Sequence, residues 1–196
     1  MSKINDLVNY VNRKKIFSAQ DVISEGFSRS TLKQAVDKGL IIRWGVGSYS
    51  LSGVAPEDYF EIQRRHPCFI FSNETALYLH ELTDVAFPRY SITVPTGYNI
   101  KANKRFKAYY SKKDIHSLGI EKMKSPFGNT IYVYNIDKSI CDVIKNENRI
   151  ESQIFSQAIL SYADSEKKNI SRAIQYAKSM GIEKKFKSYF RVIHER

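Results

Sequence analysis

The stretch from Phe17 to Leu51 constrains the fold of this chain more than any other part of it. It reads FSAQDVISEGFSRSTLKQAVDKGLIIRWGVGSYSL. Ser18 can cap a helix whose third residue is Asp21, its hydroxyl accepting from the first free amides. Val22 and Ile23 are the apolar pair of that short helix, and Gly26 sits where a left-handed residue would stop it. Phe27 turns the chain back into the core. Ser28 caps a second helix, with Arg29, Ser30 and Thr31 in its first turn. Leu32, Ala35 and Val36 make one apolar face at helical spacing, which leaves Arg29, Ser30, Lys33, Gln34, Asp37 and Lys38 on the other side. Gly39 stops this helix. Leu40–Ile42 and Ser48–Leu51 read as strands, with Arg43–Gly47 as the turn between them.

Helix, tight turn, helix, strand, glycine-marked turn and strand is the plan of a winged helix-turn-helix, which lays one helix in the major groove of DNA. The expected module covers residues 1–54. The second helix has suitable chemistry: Arg and Lys donate to guanine O6 and N7, and Gln pairs with adenine. Ser and Thr at a helix start suit phosphate oxygens. The expected recognition surface is Ser28, Arg29, Ser30, Thr31, Lys33, Gln34 and Lys38. Arg43 would touch the DNA backbone from the wing, and Ser18 and Gln20 from the start of the preceding helix. The alternative is an ordinary solvated face on a small bundle, which does not require a glycine-marked hairpin directly after that helix.

The 196 residues allow one large domain or two small ones. Eleven phenylalanines and thirteen tyrosines supply ample core material. A net charge of +11 favours a polyanionic partner. That charge is not confined to the first module, since residues 146–196 alone carry 10 basic and 6 acidic side chains. There is no apolar run of about 18 residues, so no membrane span is expected. The start MSKINDLVNYVNRKK lacks the pattern of a signal peptide, and Cys68 and Cys141 make no disulfide framework. A cytoplasmic protein is expected.

Ile4, Leu7, Val8 and Val11 predict a first helix over residues 3–13, ended by Arg13-Lys14-Lys15. Those cations suit either the helix dipole or DNA phosphate. A linker over Ser52–Pro56 separates the first module from a second domain, 56–196. Pro56 opens a helix over PEDYFEIQRR, and Ser72, with Thr75, begins another. Tyr90–Val94, Phe106–Tyr110, Gly119–Lys124 and Thr130–Tyr134 read as strands. Asp137 caps a helix over Ile140–Ile144, and the tail is helical over 150–162, 170–180 and 183–193. The expected class is therefore α+β: an N-terminal winged helix-turn-helix, then a mixed α+β domain with a small sheet and a helical C-terminal tail.

The run KANKRFKAYYSKK interleaves Lys101, Lys104, Arg105, Lys107, Lys112 and Lys113 with Phe106, Tyr109 and Tyr110. Charge with aromatic rings can bind nucleic acid by stacking, which makes these basic residues candidate auxiliary contacts. In a strand, however, the aromatics would belong to the sheet core and the lysines to a solvated or edge-protecting face. His66, His80, His116 and His194 form no metal-ligand spacing with the cysteines, so no metal and no cofactor are expected. Asp164, Glu183 and Lys185 could be assembled into a nuclease trio, but charged helices are their default setting. The chain does not read as an enzyme.

Three blocks carry a family resemblance. The stretch Phe17–Leu51, with Lys38-Gly39-Leu40, Arg43, Gly47 and Tyr49, resembles the N-terminal module of the AbiE-type abortive-infection antitoxins, the AbiEi family of type IV toxin–antitoxin systems. SNETALYLHELTDVAFPRYSITVP (Ser72–Pro95) is similar to that family's serine–alanine–leucine helix and the strand after it. NIDKSICDVIK (Asn135–Lys145) is similar to the short helix that follows its sheet. Glu74 and Tyr78 depart from the family pattern, and Asp137-Lys138-Ser139 stands where glutamate-arginine-threonine is usual.

The resemblance implies a bacterial, bifunctional protein. Its first domain would repress its own operon by binding inverted repeats in double-stranded promoter DNA. Its second would neutralise a co-encoded nucleotidyltransferase-like toxin without a stable complex. A monomer in solution, with two copies meeting on DNA, is expected. The alternative is a winged-helix transcription regulator with a ligand-sensing or dimerisation domain and no toxin; a nuclease fused to a DNA-binding module is the third.

Overall fold

The computed structural model describes residues 3–14, 16–45, 48–53, 58–85, 87–100, 104–126 and 128–194. These residues form a mixed α+β structure with ten α-helices and two sheets. The chain divides into two compact units, Met1–Glu61 and Ile62–Arg196. The expected Pro56 helix start lies outside the described residues; the helix there is described from Asp58.

The first unit runs α1 (Lys3–Asn12), β1 (Ile16–Ser18), α2 (Ala19–Ser24), α3 (Arg29–Asp37), β2 (Ile41–Gly45) and β3 (Ser48–Leu51). Ile4, Leu7 and Val11 of α1 pack with Phe17, Val22, Leu32, Ala35 and Ile41 into one apolar core. Ser18 and Ser28 cap α2 and α3 as the sequence indicates. Gly26 and Gly39 take φ of +89° and +68° at the two helix ends. There the Phe27 amide returns to the Val22 carbonyl and the Leu40 amide to the Ala35 carbonyl, closing both helices.

The sequence reading missed β1. Three residues are too few for an alternating pattern, and only pairing with β3 defines the strand, with Phe17 opposite Tyr49 and their rings stacked at 6.1 Å. The sheet order is β1-β3-β2, antiparallel throughout. Arg43 was expected in a turn. It lies instead within β2 opposite Tyr49, because β2 continues to Gly45 through a register shift. Val46 and Gly47 lie outside the described residues.

The second unit takes in the end of α4 (Asp58–Arg65), followed by β4 (Ile70–Phe71), α5 (Asn73–Leu79), β5 (Tyr90–Pro95), β6 (Phe106–Ser111) and α6 (Lys113–His116). Next come β7 (Ile120–Lys124), β8 (Thr130–Tyr134), α7 (Ile136–Lys145), α8 (Ser152–Asp164), α9 (Ile170–Ser179) and α10 (Glu183–His194). The sheet order is β6-β5-β4-β8-β7. The β5–β6 and β4–β8 pairs are parallel and the other two antiparallel, so the sheet is mixed.

Helix α7 is buried from Ile136 to Ile144 and forms one core with α5 and the three C-terminal helices. It nevertheless carries Asp137, Lys138 and Asp142. Asp137 is not the cap expected from sequence. Asn135 caps α7, its Oδ1 accepting from the Lys138 amide at 3.0 Å. The Asp137 carboxylate is fully buried and accepts from Tyr162 Oη at 2.7 Å, the Asn169 amide at 2.9 Å and Arg172 Nε. It therefore ties α8 and α9 to the central helix. Ser72 stands at the α5 N-cap without capping it. Its Oγ instead accepts from Thr93 Oγ1 at 2.8 Å, stitching the helix start to β5.

Gly119 leads into β7 with φ +71°, and a Cβ there would lie 2.6 Å from Lys138 Cβ. Gly119→Ala thus combines a left-handed backbone with a clash against a buried stem, an expected loss of about 2–5 kcal/mol. Gly97 has φ +90° but open space around it, so Gly97→Ala should cost only about 1–2 kcal/mol. Urea unfolding of both variants checks the order, and equal losses would contradict it.

Three histidines predict that the second unit loses stability in acid. Burial pushes the pKa of His66, His80 and His116 below the ordinary value. His80 Nε2 donates to the Tyr134 carbonyl at 2.7 Å, and the His66 ring stacks on Phe69 at 4.4 Å. Because the folded pKa values are depressed, the unfolded chain binds protons first as pH falls below about 6.5. Stability should therefore be lower at pH 5.5 than at pH 8, read as the urea midpoint; an equal or higher midpoint at pH 5.5 would contradict these environments.

Candidate nucleic-acid interface

The exposed side of α3 follows from its burial pattern. Leu32 and Ala35 face the core, Thr31 is buried with them, and Arg29, Ser30, Lys33, Gln34, Asp37 and Lys38 are exposed. Steps of four residues lay these out as two parallel rows: Arg29, Lys33 and Asp37 in one, Ser30, Gln34 and Lys38 in the other. The side chains of Arg29, Lys33, Gln34 and Lys38 make no hydrogen bond or ion pair among the described residues. A helix face of unpaired donors, three of them cationic, has its hydrogen-bonding capacity left for something outside the unit.

The start of α3 is held by a hydroxyl cluster. Ser28 Oγ accepts from the Thr31 amide at 3.1 Å and lies 2.7 Å from Ser30 Oγ and 2.9 Å from Thr31 Oγ1. Thr31 is only 7% exposed, so it belongs to the cap and core rather than to the recognition surface expected of it. Ser18 is similarly engaged. Its amide and hydroxyl donate to Asp21 Oδ2 at 2.7 and 2.8 Å, and its Oγ accepts from the Asp21 amide at 3.1 Å. Burial pushes the Asp21 carboxyl up, but the Ser18 donors and Lys14 together bring it below its ordinary range. Lys14, weighed above as a phosphate contact, lies 3.5 Å from Asp21. Gln20 is exposed on α2. Arg43 is exposed on β2, its guanidinium 6.0 Å from the Tyr49 ring centroid.

The basic run of the second unit is not one uniform surface. Lys101 lies outside the described residues. Lys104, Arg105, Lys112 and Lys113 are exposed. Lys107 is withdrawn from any such surface: its Nζ donates to Glu74 Oε1 and to the Arg149 carbonyl. Tyr109 is buried and Phe106 packs against Phe69 with centroids 5.5 Å apart, whereas Tyr110 is 54% exposed.

Around Lys107 lies a polar network that sequence reasoning missed. Glu74 Oε2 accepts from Ser91 Oγ at 2.6 Å and from Tyr109 Oη at 3.3 Å. Burial, then Glu74, pushes the Tyr109 hydroxyl upward, and the Arg149 guanidinium lies 4.1 Å from that ring's centroid. Lys107 and Tyr109, two apart on one strand, share a side; that was the one signal in the sequence. Glu74, Ser91 and Arg149 are distant along the chain and meet only in the fold.

Glu183 pairs with Lys187 at 2.6 Å, Lys185 with Glu147 at 2.8 Å, and Asp164 is exposed at the end of α8. Among the described residues no group of three or more His, Cys, Asp or Glu is placed to hold a metal ion, and no helix is long and apolar enough to cross a membrane. An open groove of about 530 Å³ in the second unit is lined by Tyr78, Glu81, Thr83, Asp84, Lys124 and Gln157, among others.

No protein-family model and no curated protein matches the chain. Among solved structures it is similar to that of the Rv2827c protein from Mycobacterium tuberculosis, with a TM-score of 0.58. The likeness covers 89% of this chain and 69% of that one at 9% identity. It is a likeness of fold.

Proposed function

We propose that the first unit is a winged helix-turn-helix that binds double-stranded DNA, with α3 in the major groove and the β2–β3 hairpin as its wing. The observation that carries this reading is the donor face of α3, unpaired among the described residues. Arg29, Lys33 and Gln34 are the groups that read base edges from it, and Ser30 and Lys38 reach phosphates. Arg43 touches the backbone from the wing. Lys38→Ala should weaken binding to all duplexes alike and lower the salt slope by about one. Electrophoretic mobility shift at several salt concentrations measures both, and an unchanged slope removes Lys38 from the interface.

Resemblance of Phe17–Leu51, Ser72–Pro95 and Asn135–Lys145 to the AbiEi family supports an antitoxin. It represses its own operon from promoter inverted repeats, as a monomer that meets a second copy on DNA. The second unit neutralises a co-encoded nucleotidyltransferase-like toxin without a stable complex. In this reading the protein acts in the cytoplasm and is not an enzyme. Co-expression of the full chain with the neighbouring gene tests it. Growth should be rescued equally by wild type and by Arg29→Ala/Lys33→Ala, because repression and neutralisation use different units. A neighbour that is not toxic, or toxicity that neither protein relieves, overturns the antitoxin. The groove bounded by Tyr78, Asp84 and Gln157 then favours the second reading, a winged-helix regulator whose second unit senses a ligand.

A further inference from the structure

Asp37 is the acidic side chain on the exposed face of α3, and its position works against it in three ways. It ends the helix, where the backbone dipole is negative and a carboxylate is disfavoured. It follows Lys33 by four residues, the less favourable order for such a pair, and forms no ion pair with Lys33 or with any other described residue. It also closes the row that Arg29 and Lys33 begin, on a face otherwise suited to a polyanion. A neutral or basic residue would serve both the helix end and phosphate attraction better.

In the major groove a carboxylate can accept only from an exocyclic amine, cytosine N4 or adenine N6. At adenine the N7 acceptor stands beside that amine and opposes the carboxylate, at cytosine no ring acceptor faces the groove, and guanine and thymine offer only acceptors or a methyl group. We propose that Asp37 is a specificity-determining residue. Its carboxylate accepts from one cytosine N4 amine at the C-terminal end of the recognition helix and repels duplexes that present no such donor there. The assignment rests on the DNA-binding reading of α3 and adds a discriminating element to its cationic row. Arg29, Lys33 and Gln34 reward the right bases, whereas Asp37 penalises the wrong ones.

The test is selection of bound duplexes from a random library, using the full-length protein as wild type, Asp37→Ala and Asp37→Glu. Affinities for a selected and an unselected duplex are then measured. Asp37 is exposed and without a partner among the described residues, so both variants should fold, which their urea midpoints check. Wild type should select a consensus with a C·G pair whose preference falls about tenfold in Asp37→Ala while the other positions keep theirs. Affinity of Asp37→Ala for the unselected duplex should rise about threefold, since one like charge has left the interface. Asp37→Glu should retain the cytosine preference. An Asp37→Ala consensus identical to that of wild type overturns the assignment and leaves the DNA-binding reading standing. A wild-type protein that enriches no sequence overturns that reading and the assignment with it.

Discussion

Lys138→Met should destabilise the protein by about 3–5 kcal/mol, and adding Asp142→Leu should recover most of that loss. The Lys138 side chain is 1% exposed in the middle of α7. Its Nζ lies 2.6 Å from Asp142 Oδ1 and 4.1 Å from the centroid of the Tyr134 ring. Asp142 Oδ2 is buried and has no hydrogen-bond partner among the described residues. The carboxylate therefore depends on Lys138 for its compensation. Removing the cation alone leaves an uncompensated charge in an apolar setting, which costs far more than the pair contributes when intact. Replacing both members with apolar residues of similar volume removes the desolvation cost along with the attraction. Urea unfolding of the single and double variants measures the difference. A double variant as unstable as the single one would show that the loss comes from packing rather than from the orphaned charge.

Arg29→Ala should weaken binding to the protein's own promoter DNA by about 1–3 kcal/mol, roughly five- to 150-fold. Arg29 opens α3 next to the Ser28 cap, where the hydroxyl cluster fixes the first turn. Its guanidinium has no partner among the described residues, so the substitution removes no hydrogen bond or ion pair made among them. Stability should stay within about 0.5 kcal/mol of wild type. The loss should also depend on sequence. An arginine that reads a guanine edge affects duplexes carrying that guanine, whereas one that meets phosphate affects all duplexes alike. Fluorescence anisotropy with promoter and unrelated duplexes separates the two cases. Equal, unreduced affinity for both would remove Arg29 from the interface.

Much of the first unit was legible in sequence because its signals are local. A serine cap acts within its own helix turn, and a left-handed glycine acts on the turn it closes, so Ser18, Gly26, Ser28 and Gly39 could be read singly. Strand β1 was not legible, since three residues become a strand only through β3. Thr31 was misplaced for a related reason: at a helix start a threonine suits a phosphate or a cap equally well, and packing beside Leu32 decides. In the second unit β5 to β8 were read as strands from sequence, whereas β4, only two residues long, was not, since pairing with β5 and β8 alone defines it. The burial of the charges on α7 was not legible, because a buried ion pair and a solvated one have the same residue spacing. Asp137 illustrates this most clearly. Both Asn135 and Asp137 are good cap residues, and only the donors from Tyr162, Asn169 and Arg172 determine which one is drawn inside. Lys107 belonged by sequence to a basic run and belongs by structure to Glu74.

The most direct test of the central claim, that α3 lies in a major groove, is methylation interference on promoter DNA with the full-length protein. Methylating guanine N7 blocks the groove edge that Arg29 and Lys33 would read. The account predicts strong interference at guanines within each half of an inverted repeat, and loss of one of those signals in Arg29→Ala. Binding that is indifferent to N7 methylation, or an Arg29→Ala pattern identical to wild type, would contradict it.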